Sequence, residues 1–349
     1  MAGAEIIYGA EQTEFWEDVE RTFERAIPEA LDIPHMLSAA QLTPESMGVL
    51  FDSADKLRRE DSTLSGRRKL ITRHLGRRMC DLFYEPSTRT RISFETAAVA
   101  FGVGYVGSEN AREFSSAAKG ETIEDTIRVI NEYGYDVIVL RHHETGSAVK
   151  AAAVSKVPVL NAGDGKGEHP TQAILDAYTI QEQLGRLEGL HIVMGGDLKQ
   201  GRTVRSLAQT IAKYPNNHIS FVTTPDLSME QDIKMILDDS GTTYDESFTM
   251  EDALAGPIAD ANVVYWTRLQ KERLEKEYSQ EQVARMLGSF CIDRRALDVM
   301  RSDSIIMHPL PKVGEIAPEV DDDPRAVYFR QAGNGMYTRM AQIDLALAT

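Results

Sequence analysis

The chain has 349 residues, and its 38 Lys and Arg against 54 Asp and Glu give a net charge of −16. Because phosphates would be repelled by this charge, it argues against general binding of nucleic acids or of anionic membranes. Hydrophobic residues make up 42% of the sequence and charged residues 26%, which are values of globular proteins, and the length predicts two domains.

The two cysteines, Cys80 and Cys291, are too few for a disulfide framework and are consistent with a reducing cytoplasm. The sequence contains neither CxxC nor HExxH, so we expect no metal site. It has no apolar run near the ~18 residues that span a bilayer, so we expect no membrane segment. Residues 1–34 are acidic, which predicts an N-terminal extension rather than a secretory or transit peptide, and a cytoplasmic protein.

The extension is predicted to be partly helical, and an amphipathic helix over 44–60 follows, with Thr43 as its cap and Pro44 at its first position. A basic segment over 67–78 follows. Charge runs are usually solvated faces, so we expect an exposed helix and turn there, with RNA binding as a poorly supported alternative.

From Met79 onward, short β-branched runs alternate with helical patterns, and a last helix is predicted from Asn334 to Thr349. This alternation predicts βαβ units with parallel sheets, an α/β fold divided near residue 170. The predicted strands are 79–85, 135–141, 157–163, 190–196, 218–223, 262–268, 304–310 and 326–331.

The segment 87–91, with the sequence STRTR, follows a predicted strand and opens a helix. Helix N-termini offer unpaired backbone N–H groups and a partial positive charge, and hydroxyls with a guanidinium complete a phosphate cradle. A plain Ser/Thr helix cap would need one hydroxyl only, whereas this segment holds three hydroxyls and two arginines. The density favours an anion site.

Two glycine-rich segments come next. Gly102–Gly107 matches GxGxxG, but it follows a helix and leads toward a strand, which is the reverse of the dinucleotide-binding order. The turn at 163–167 precedes His169 and Gln172, which we expect near the end of a strand and the start of a helix. A lone histidine is most often structural, so both interpretations of His169 stay open at this point.

Arginines recur after predicted strands, at Arg89, Arg141, Arg202 and Arg268. One such arginine is usually a surface residue, but four predict a polyanion pocket in an otherwise acidic protein. The small-residue segment 114–122, which bears Lys119, is typical of a mobile loop.

From about Leu37 onward, these motifs together resemble the aspartate and ornithine carbamoyltransferase family. The shared motifs are STRTR, the Arg141 strand end and HPTQ at 169–172. HPLP at 308–311, DLKQGRT at 197–203 and TRLQKER at 267–273 resemble the aspartate branch, because ornithine enzymes typically carry HCLP. The two carboxylates of aspartate also suit arginine partners.

The resemblance implies two Rossmann-like domains, each a parallel sheet flanked by helices. Residues 35–170 would bind carbamoyl phosphate, with the helix 334–349 packing back on them, and 171–333 would bind aspartate. The implied reaction transfers the carbamoyl group to L-aspartate in pyrimidine biosynthesis, without a metal, a cofactor or a covalent intermediate. Two alternatives remain: a chain with ornithine or another amine as acceptor, and a non-catalytic chain that has lost its pocket residues.

The resemblance also implies roles for single residues. Thr90, Arg141 and His169 would polarise the carbamoyl carbonyl, with Arg89 as a further catalytic residue that neutralises the leaving phosphate. The residues implied to bind carbamoyl phosphate are Ser87, Thr88, Arg89, Thr90, Arg141, His169, Gln172, Leu310 and Pro311. Those implied to bind aspartate are Lys119, Arg202, Arg268 and Gln270.

Oligomerisation is implied as well. Ser115 and Lys119 match loop residues that reach the neighbouring subunit's site, which implies a homotrimer with shared active sites. Many family members carry a lysine where this chain has Ala118. Glu85 matches a residue that pairs with arginines across the two domains and supports domain closure. Whether a regulatory chain binds is left open by the sequence.

Overall fold

The computed structural model describes residues 35–165, 168–269, 274–275 and 278–348, so the acidic extension 1–34 lies outside the described residues. The chain divides into two compact units. Among the described residues, unit 1 contains 35–41, 48–171 and 336–348, and unit 2 contains 42–47 and 172–335.

Unit 1 contains a parallel sheet of four strands in the order β2-β1-β3-β4. The strands are β1 (Arg78–Phe83), β2 (Gly104–Glu109), β3 (Val137–His142) and β4 (Val159–Asp164). Every residue of β3 and β4 is buried, as expected where helices cover both faces of a parallel sheet. The edge strand β2 is largely exposed.

Unit 2 contains a parallel sheet of five strands in the order β7-β6-β5-β8-β9. The strands are β5 (His191–Gly195), β6 (His218–Val222), β7 (Thr243–Ser247), β8 (Val263–Trp266) and β9 (Ile305–Met307). Val193, Val264, Trp266 and Ile306 belong to one buried apolar cluster on this sheet. Both sheets confirm the predicted α/β fold with two Rossmann-like domains.

Helices precede or separate most strands. In chain order they are α1 (Pro44–Asp61), α2 (Leu64–Leu70), α3 (Thr88–Ala100), α4 (Ala111–Phe114), α5 (Ile123–Asn131), α6 (Ser147–Ala152), α7 (Pro170–Leu184), α8 (Arg202–Ile211), α9 (Gln231–Ser240), α10 (Met250–Ala255), α11 (Pro257–Asp260), α12 (Gln280–Ser289), α13 (Arg294–Val299) and α14 (Tyr328–Leu347). In the part of the chain that the structure describes, no helix is long and apolar enough to cross a bilayer.

The predicted strand at 326–331 is wrong. Only Ala326 forms an isolated bridge, to Ile306, and α14 begins at Tyr328. The aromatic and β-branched residues suggested a strand, but buried Gln331, Asn334 and Thr338 are spaced by three and four residues along the helix. Helical burial therefore decides the conformation. β7 was not predicted, because its polar sequence TYDES lacks an apolar run.

Each sheet changes the direction of its strand order at one place, between β1 and β3 in unit 1 and between β5 and β8 in unit 2. In open α/β sheets, ligands bind outside the carboxyl ends of the strands at such a switch point. The segments that follow these four strands are those that the sequence marked for anion binding.

Candidate active site

The STRTR segment lies at the carboxyl end of β1, where α3 begins at Thr88 with Ser87 as its N-cap residue. The Ser87 hydroxyl does not cap the helix; its Oγ donates to Thr90 Oγ1 at 3.0 Å. Thr90 is buried, whereas Thr88 and Arg89 are exposed. A plain helix cap therefore does not account for Ser87, and the helix N-terminus with its hydroxyls suits an anion.

Arg141 is a buried cation at the carboxyl end of β3, paired in register with Phe83 of β1. Its Nη1 donates to the Ala162 carbonyl at 3.0 Å, and its Nη2 lies 3.4 Å from Glu85 Oε2. These contacts fix the guanidinium beside the segment after β1. The switch point of unit 1 thus brings Glu85, the STRTR segment and Arg141 together.

His169 stands immediately before α7 and is 4% exposed, with its Nδ1 3.2 Å from Thr171 Oγ1. The preceding Glu168 accepts hydrogen bonds from Ser38 Oγ at 2.8 Å and from the Ala39 backbone. Asp164 accepts from the backbone N–H of Glu168 at 3.2 Å. The turn that carries His169 is therefore anchored on both sides, although Lys166 and Gly167 lie outside the described residues.

His142 is a buried neighbour of Arg141 that the sequence did not single out. Its Nδ1 accepts from the Glu144 backbone at 3.0 Å, and its ring lies 4.5 Å from the Tyr84 ring. Burial, and then the adjacent His143, lower the pKa of His142 to about 4. It therefore adds no positive charge near Arg141 at neutral pH.

In unit 2, Arg202 opens α8 after the carboxyl end of β5, and Arg268 follows β8. The two strand ends are joined because the Thr267 backbone N–H donates to the Gly195 carbonyl at 2.9 Å. Asp197 Oδ1 accepts from the Gln200 backbone at 2.9 Å and shapes the turn that leads to Arg202. Gln270, also predicted to bind aspartate, lies outside the described residues.

The HPLP segment follows β9. Leu310 has a φ of +56°, in the left-handed region that costs a non-glycine residue about 1–3 kcal/mol. Its backbone N–H donates to His308 Nδ1 at 2.8 Å, so the ring carries its proton on Nε2, which lies 2.8 Å from Glu315 Oε1. His308 and Glu315 are buried and hold this strained backbone in place.

Gln172 lies in the first turn of α7 and donates to Asp176 Oδ1 at 2.9 Å. Sequence reasoning did not single out Asp176 or Glu315. The spacing of four residues between Gln172 and Asp176 on a predicted helix was the available signal for the first. Nothing in the sequence indicated that Glu315 meets His308, because a loop separates them.

The loop residues predicted to reach a neighbouring subunit lie in unit 1. Ser115 follows α4 and its hydroxyl donates to the Ala111 carbonyl. Lys119 ends a 3₁₀ turn, Ser116–Lys119, and is exposed. Within the described ranges, no group of three or more His, Cys, Asp or Glu side chains could hold a metal ion.

Comparison with known proteins extends these observations. Residues 34–182 match the family described as "Aspartate/ornithine carbamoyltransferase, carbamoyl-P binding domain", and residues 188–345 match its "Asp/Orn binding domain". The aspartate carbamoyltransferase named chloroplastic from Arabidopsis thaliana is 46% identical over 316 residues, which cover 90% of this chain and 78% of that protein.

Two solved structures are similar throughout most of the chain. The catalytic subunit of M. jannaschii aspartate transcarbamoylase has a TM-score of 0.81 at 38% identity, covering 90% of this chain and 98% of that one. The aspartate transcarbamoylase of Trypanosoma cruzi, solved with N-(phosphonacetyl)-L-aspartic acid, has a TM-score of 0.81 at 35% identity, covering 90% and 95%.

The comparison with known relatives contradicts the expected cytoplasmic location. The relatives from Arabidopsis thaliana, Oryza sativa subsp. japonica and Pisum sativum are all named chloroplastic, which points to a plastid. A low cysteine count does not distinguish a plastid from the cytoplasm, since both compartments can hold reduced thiols.

Two family matches together cover most of the chain, and they agree with the segments predicted to bind anions, which lie at both switch points. The chain therefore belongs to the aspartate/ornithine carbamoyltransferase family.

Proposed function

We infer that the chain transfers the carbamoyl group of carbamoyl phosphate to the amino group of L-aspartate, giving N-carbamoyl-L-aspartate and phosphate. The observation that carries this inference is the placement of Arg202 and Arg268 at the switch point of unit 2. Two arginines suit a dicarboxylate acceptor and do not suit the ammonium of ornithine. The Trypanosoma cruzi relative has been solved with carbamoyl phosphate, with aspartate and phosphate, and with carbamoyl aspartate and phosphate.

In the proposed reaction, unit 1 binds the phosphate of carbamoyl phosphate. The hydroxyls of Ser87, Thr88 and Thr90 and the N-terminus of α3 surround the phosphate oxygens, with Arg89 and Arg141 as counter-charges. We propose residues 35–170, together with 334–349, as the carbamoyl-phosphate-binding domain, and 171–333 as the aspartate-binding domain.

The carbamoyl group is recognised through its carbonyl oxygen and its NH₂ group. Thr90, Arg141 and His169 donate to its carbonyl oxygen and stabilise the charge that develops there. Gln172 and the backbone carbonyls of Leu310 and Pro311 receive its NH₂ group. This division uses donors for the oxygen and acceptors for the nitrogen, so it selects a carbamoyl group over an isosteric acyl group.

The chemical step needs no group beyond these. The aspartate nitrogen attacks the carbonyl carbon, a tetrahedral intermediate forms, and the bond from that carbon to the phosphate oxygen breaks. The departing phosphate, neutralised by Arg89, takes the proton of the amine. Catalysis is then mainly positioning and electrostatics, and loss of one donor is expected to cost about 10²–10³ in rate.

We propose further that the protein acts as a homotrimer, in which Ser115 and Lys119 serve the active site of the neighbouring subunit. Lys119 is exposed at the end of the turn Ser116–Lys119, so its side chain is accessible to a neighbouring subunit. Mixing Lys119→Ala with Arg268→Ala should restore activity, because hybrid trimers form sites with both wild-type side chains. Additive residual activity would contradict shared sites. Analytical ultracentrifugation of the same samples would distinguish a trimer from a larger assembly of this chain.

The activity is tested by measuring product from carbamoyl phosphate with L-aspartate or L-ornithine. We expect turnover with aspartate alone, and a loss of at least 10²-fold in Arg268→Ala, consistent with removal of a charged substrate partner. Arg295→Ala is the matched control, since Arg295 is exposed and pairs with Asp293 beside α13. Turnover with ornithine would show that aspartate is not the acceptor. Turnover with neither would indicate a different acceptor, a missing partner chain or a non-catalytic chain.

A further inference from the structure

Asp176 lies at the centre of a buried polar network in unit 2. Its side chain is fully buried on α7, one helical turn after Gln172. Gln172 Nε2 and Gln331 Nε2 donate to its Oδ1 at 2.9 and 2.7 Å. The Tyr265 hydroxyl donates to its Oδ2 at 2.7 Å. Three side chains, two of them distant from Asp176 in sequence, therefore meet at one carboxylate.

The chemistry of the carboxylate gives this network a direction. An ionised aspartate accepts hydrogen bonds and donates none, so each amide that contacts it must turn its NH₂ group toward it. For Gln172, the carbonyl oxygen Oε1 is then the end of the amide that points away from Asp176. Gln331 has the same orientation, because its Oε1 accepts the His308 backbone N–H at 2.9 Å.

The Tyr265 hydroxyl keeps its proton over a wide pH range. Burial, and then the charge of Asp176, raise the pKa of the Tyr265 hydroxyl well above its ordinary value. Tyr265 therefore remains a donor to Asp176 Oδ2. Gln331 also links Asp176 to His308, whose ring holds the Leu310 backbone. One network thus contacts both groups that we propose as acceptors for the carbamoyl NH₂.

We propose that Asp176 is a positioning residue, which orients the Gln172 amide so that its oxygen receives the NH₂ group of carbamoyl phosphate. This inference rests on the proposed function, in which Gln172 meets that group. A fixed carbonyl oxygen matches an NH₂ donor and is left unpaired by a methyl group. Asp176 itself touches neither the substrate nor the reacting atoms in this proposal.

The test compares carbamoyl phosphate with acetyl phosphate, which carries CH₃ in place of NH₂ and the same phosphate. The ratio between the inhibition constant of acetyl phosphate and the KM of carbamoyl phosphate measures the preference for NH₂. We expect Asp176→Asn to reduce this preference about tenfold, because asparagine no longer forces the orientation of Gln172. Binding of inorganic phosphate, measured by calorimetry, should change less than about twofold, since unit 1 supplies the phosphate contacts.

Three variants separate positioning from general destabilisation. Tyr265→Phe removes the donor to Oδ2 but leaves the Gln172 contact, so the preference should persist. Asp176→Glu retains an acceptor-only carboxylate and should also retain most of the preference; it serves as the test if Asp176→Asn does not fold. In a Gln172→Ala background, Asp176→Asn should reduce the preference no further.

The outcomes distinguish this inference from the proposed function. An unchanged preference in Asp176→Asn, or its complete loss in Asp176→Glu, would overturn the role of Asp176. A further loss on top of Gln172→Ala would also overturn it, because Asp176 would then act independently of Gln172. A wild-type protein without turnover of carbamoyl phosphate and aspartate would instead refute the proposed function itself.

Discussion

The Glu85 carboxylate lies 3.4 Å from the Arg141 guanidinium, so a cation proposed to bind phosphate has an anionic partner within its own unit. Glu85 is only partly exposed, which limits the screening of this pair by solvent. A phosphate that approaches Arg141 therefore meets repulsion from Glu85. The role of Glu85 in domain closure stays a prediction, and this contact adds a second expectation.

We expect Glu85→Gln to tighten the binding of inorganic phosphate about two- to fivefold at low salt, because a nearby like charge is removed. The gain should shrink as salt is added. Isothermal titration calorimetry measures both effects. Glu132→Gln is the control, since Glu132 forms an exposed pair with Lys156. Weaker phosphate binding in Glu85→Gln alone would contradict this account.

The contact between His308 and Glu315 leads to a second prediction. Glu315 uses both carboxylate oxygens, one toward His308 and one for the Val313 backbone N–H at 3.0 Å. In Glu315→Gln, either the His308 ring N–H or the Val313 backbone N–H would face the NH₂ group of the glutamine and lose its hydrogen bond. We expect the KM for carbamoyl phosphate to rise about tenfold, as for one lost buried hydrogen bond. Steady-state kinetics measures this, with exposed Glu319→Gln as the control; equal effects of the two variants would contradict it.

The same pair predicts an acid limit for stability. Burial alone would raise the pKa of Glu315, but hydrogen bonds from His308 and from backbone N–H groups outweigh it and place the pKa below its ordinary value. A carboxyl group whose pKa is lowered in the folded state stabilises the fold at pH values above its unfolded-state pKa. This stabilisation is lost as the pH falls through the folded-state pKa. Thermal unfolding should therefore show less acid sensitivity below about pH 4.5 in Glu315→Gln. An identical pH profile would contradict this.

Asp81 predicts the opposite dependence of stability on pH. It is fully buried in β1, and neither of its oxygens has a hydrogen-bond partner among the described residues. Burial, and then the nearby Glu95, raise the pKa of Asp81 to about 6. The folded protein therefore binds a proton more tightly than the unfolded chain, so its stability falls as the pH rises from about 4 to about 6.

Replacement of Asp81 by Asn should remove that fall and stabilise the protein at pH 7.5 by about 1–3 kcal/mol, as expected for a shift of about two pKa units. Chemical denaturation at pH 4.5 and 7.5 measures the difference in the free energy of unfolding between the wild type and Asp81→Asn. Asp238→Asn removes the same charge from an exposed position in α9 and should leave the pH profile as in wild type. A destabilised Asp81→Asn at pH 7.5 would show that the carboxylate is compensated.

Two glycines in different surroundings provide a matched pair for stability. A Cβ at Gly195 would overlap the buried ring of Trp266, whereas a Cβ at Gly48, inside α1, would meet nothing within 4 Å. We expect Gly195→Ala to destabilise by about 1–3 kcal/mol through overpacking. Gly48→Ala should stabilise by about 0.5–1 kcal/mol through helix propensity. Chemical denaturation measures both; equal effects would contradict the packing argument.

Much of the fold follows from local patterns. Apolar runs such as HIVMG predict buried parallel strands because both faces of the sheet are covered, and Thr43 and Pro44 predict the start of α1. The strand predicted at 326–331 failed for a physical reason. Tyr328 is buried by tertiary packing in α14, so the local β-propensity of AVYF is overridden.

The candidate site likewise contains some residues that could be grouped from the sequence and others that could not. Residues within one segment, such as Ser87 and Thr90, could be grouped from the sequence because a helix N-terminus requires their spacing. Asp176 and Gln331 could not be paired, since 155 residues separate them along the chain. Glu85 and Arg141 likewise meet only because β1 and β3 are neighbours in the sheet. Contacts of this kind depend on strand order, which local patterns do not encode.

The discontinuity of unit 1 sets an order for folding during synthesis. Residues 336–348 complete unit 1, where Arg73 donates to Asp344 at 2.6 Å and the Tyr337 hydroxyl donates to Asp61 at 3.3 Å. These residues leave the ribosome after the whole of 172–335. Unit 2 can therefore fold while unit 1 still lacks its last helical turns, although most of unit 1 is synthesised first. A premature stop near residue 335 would release a chain in which unit 1 is the incomplete one.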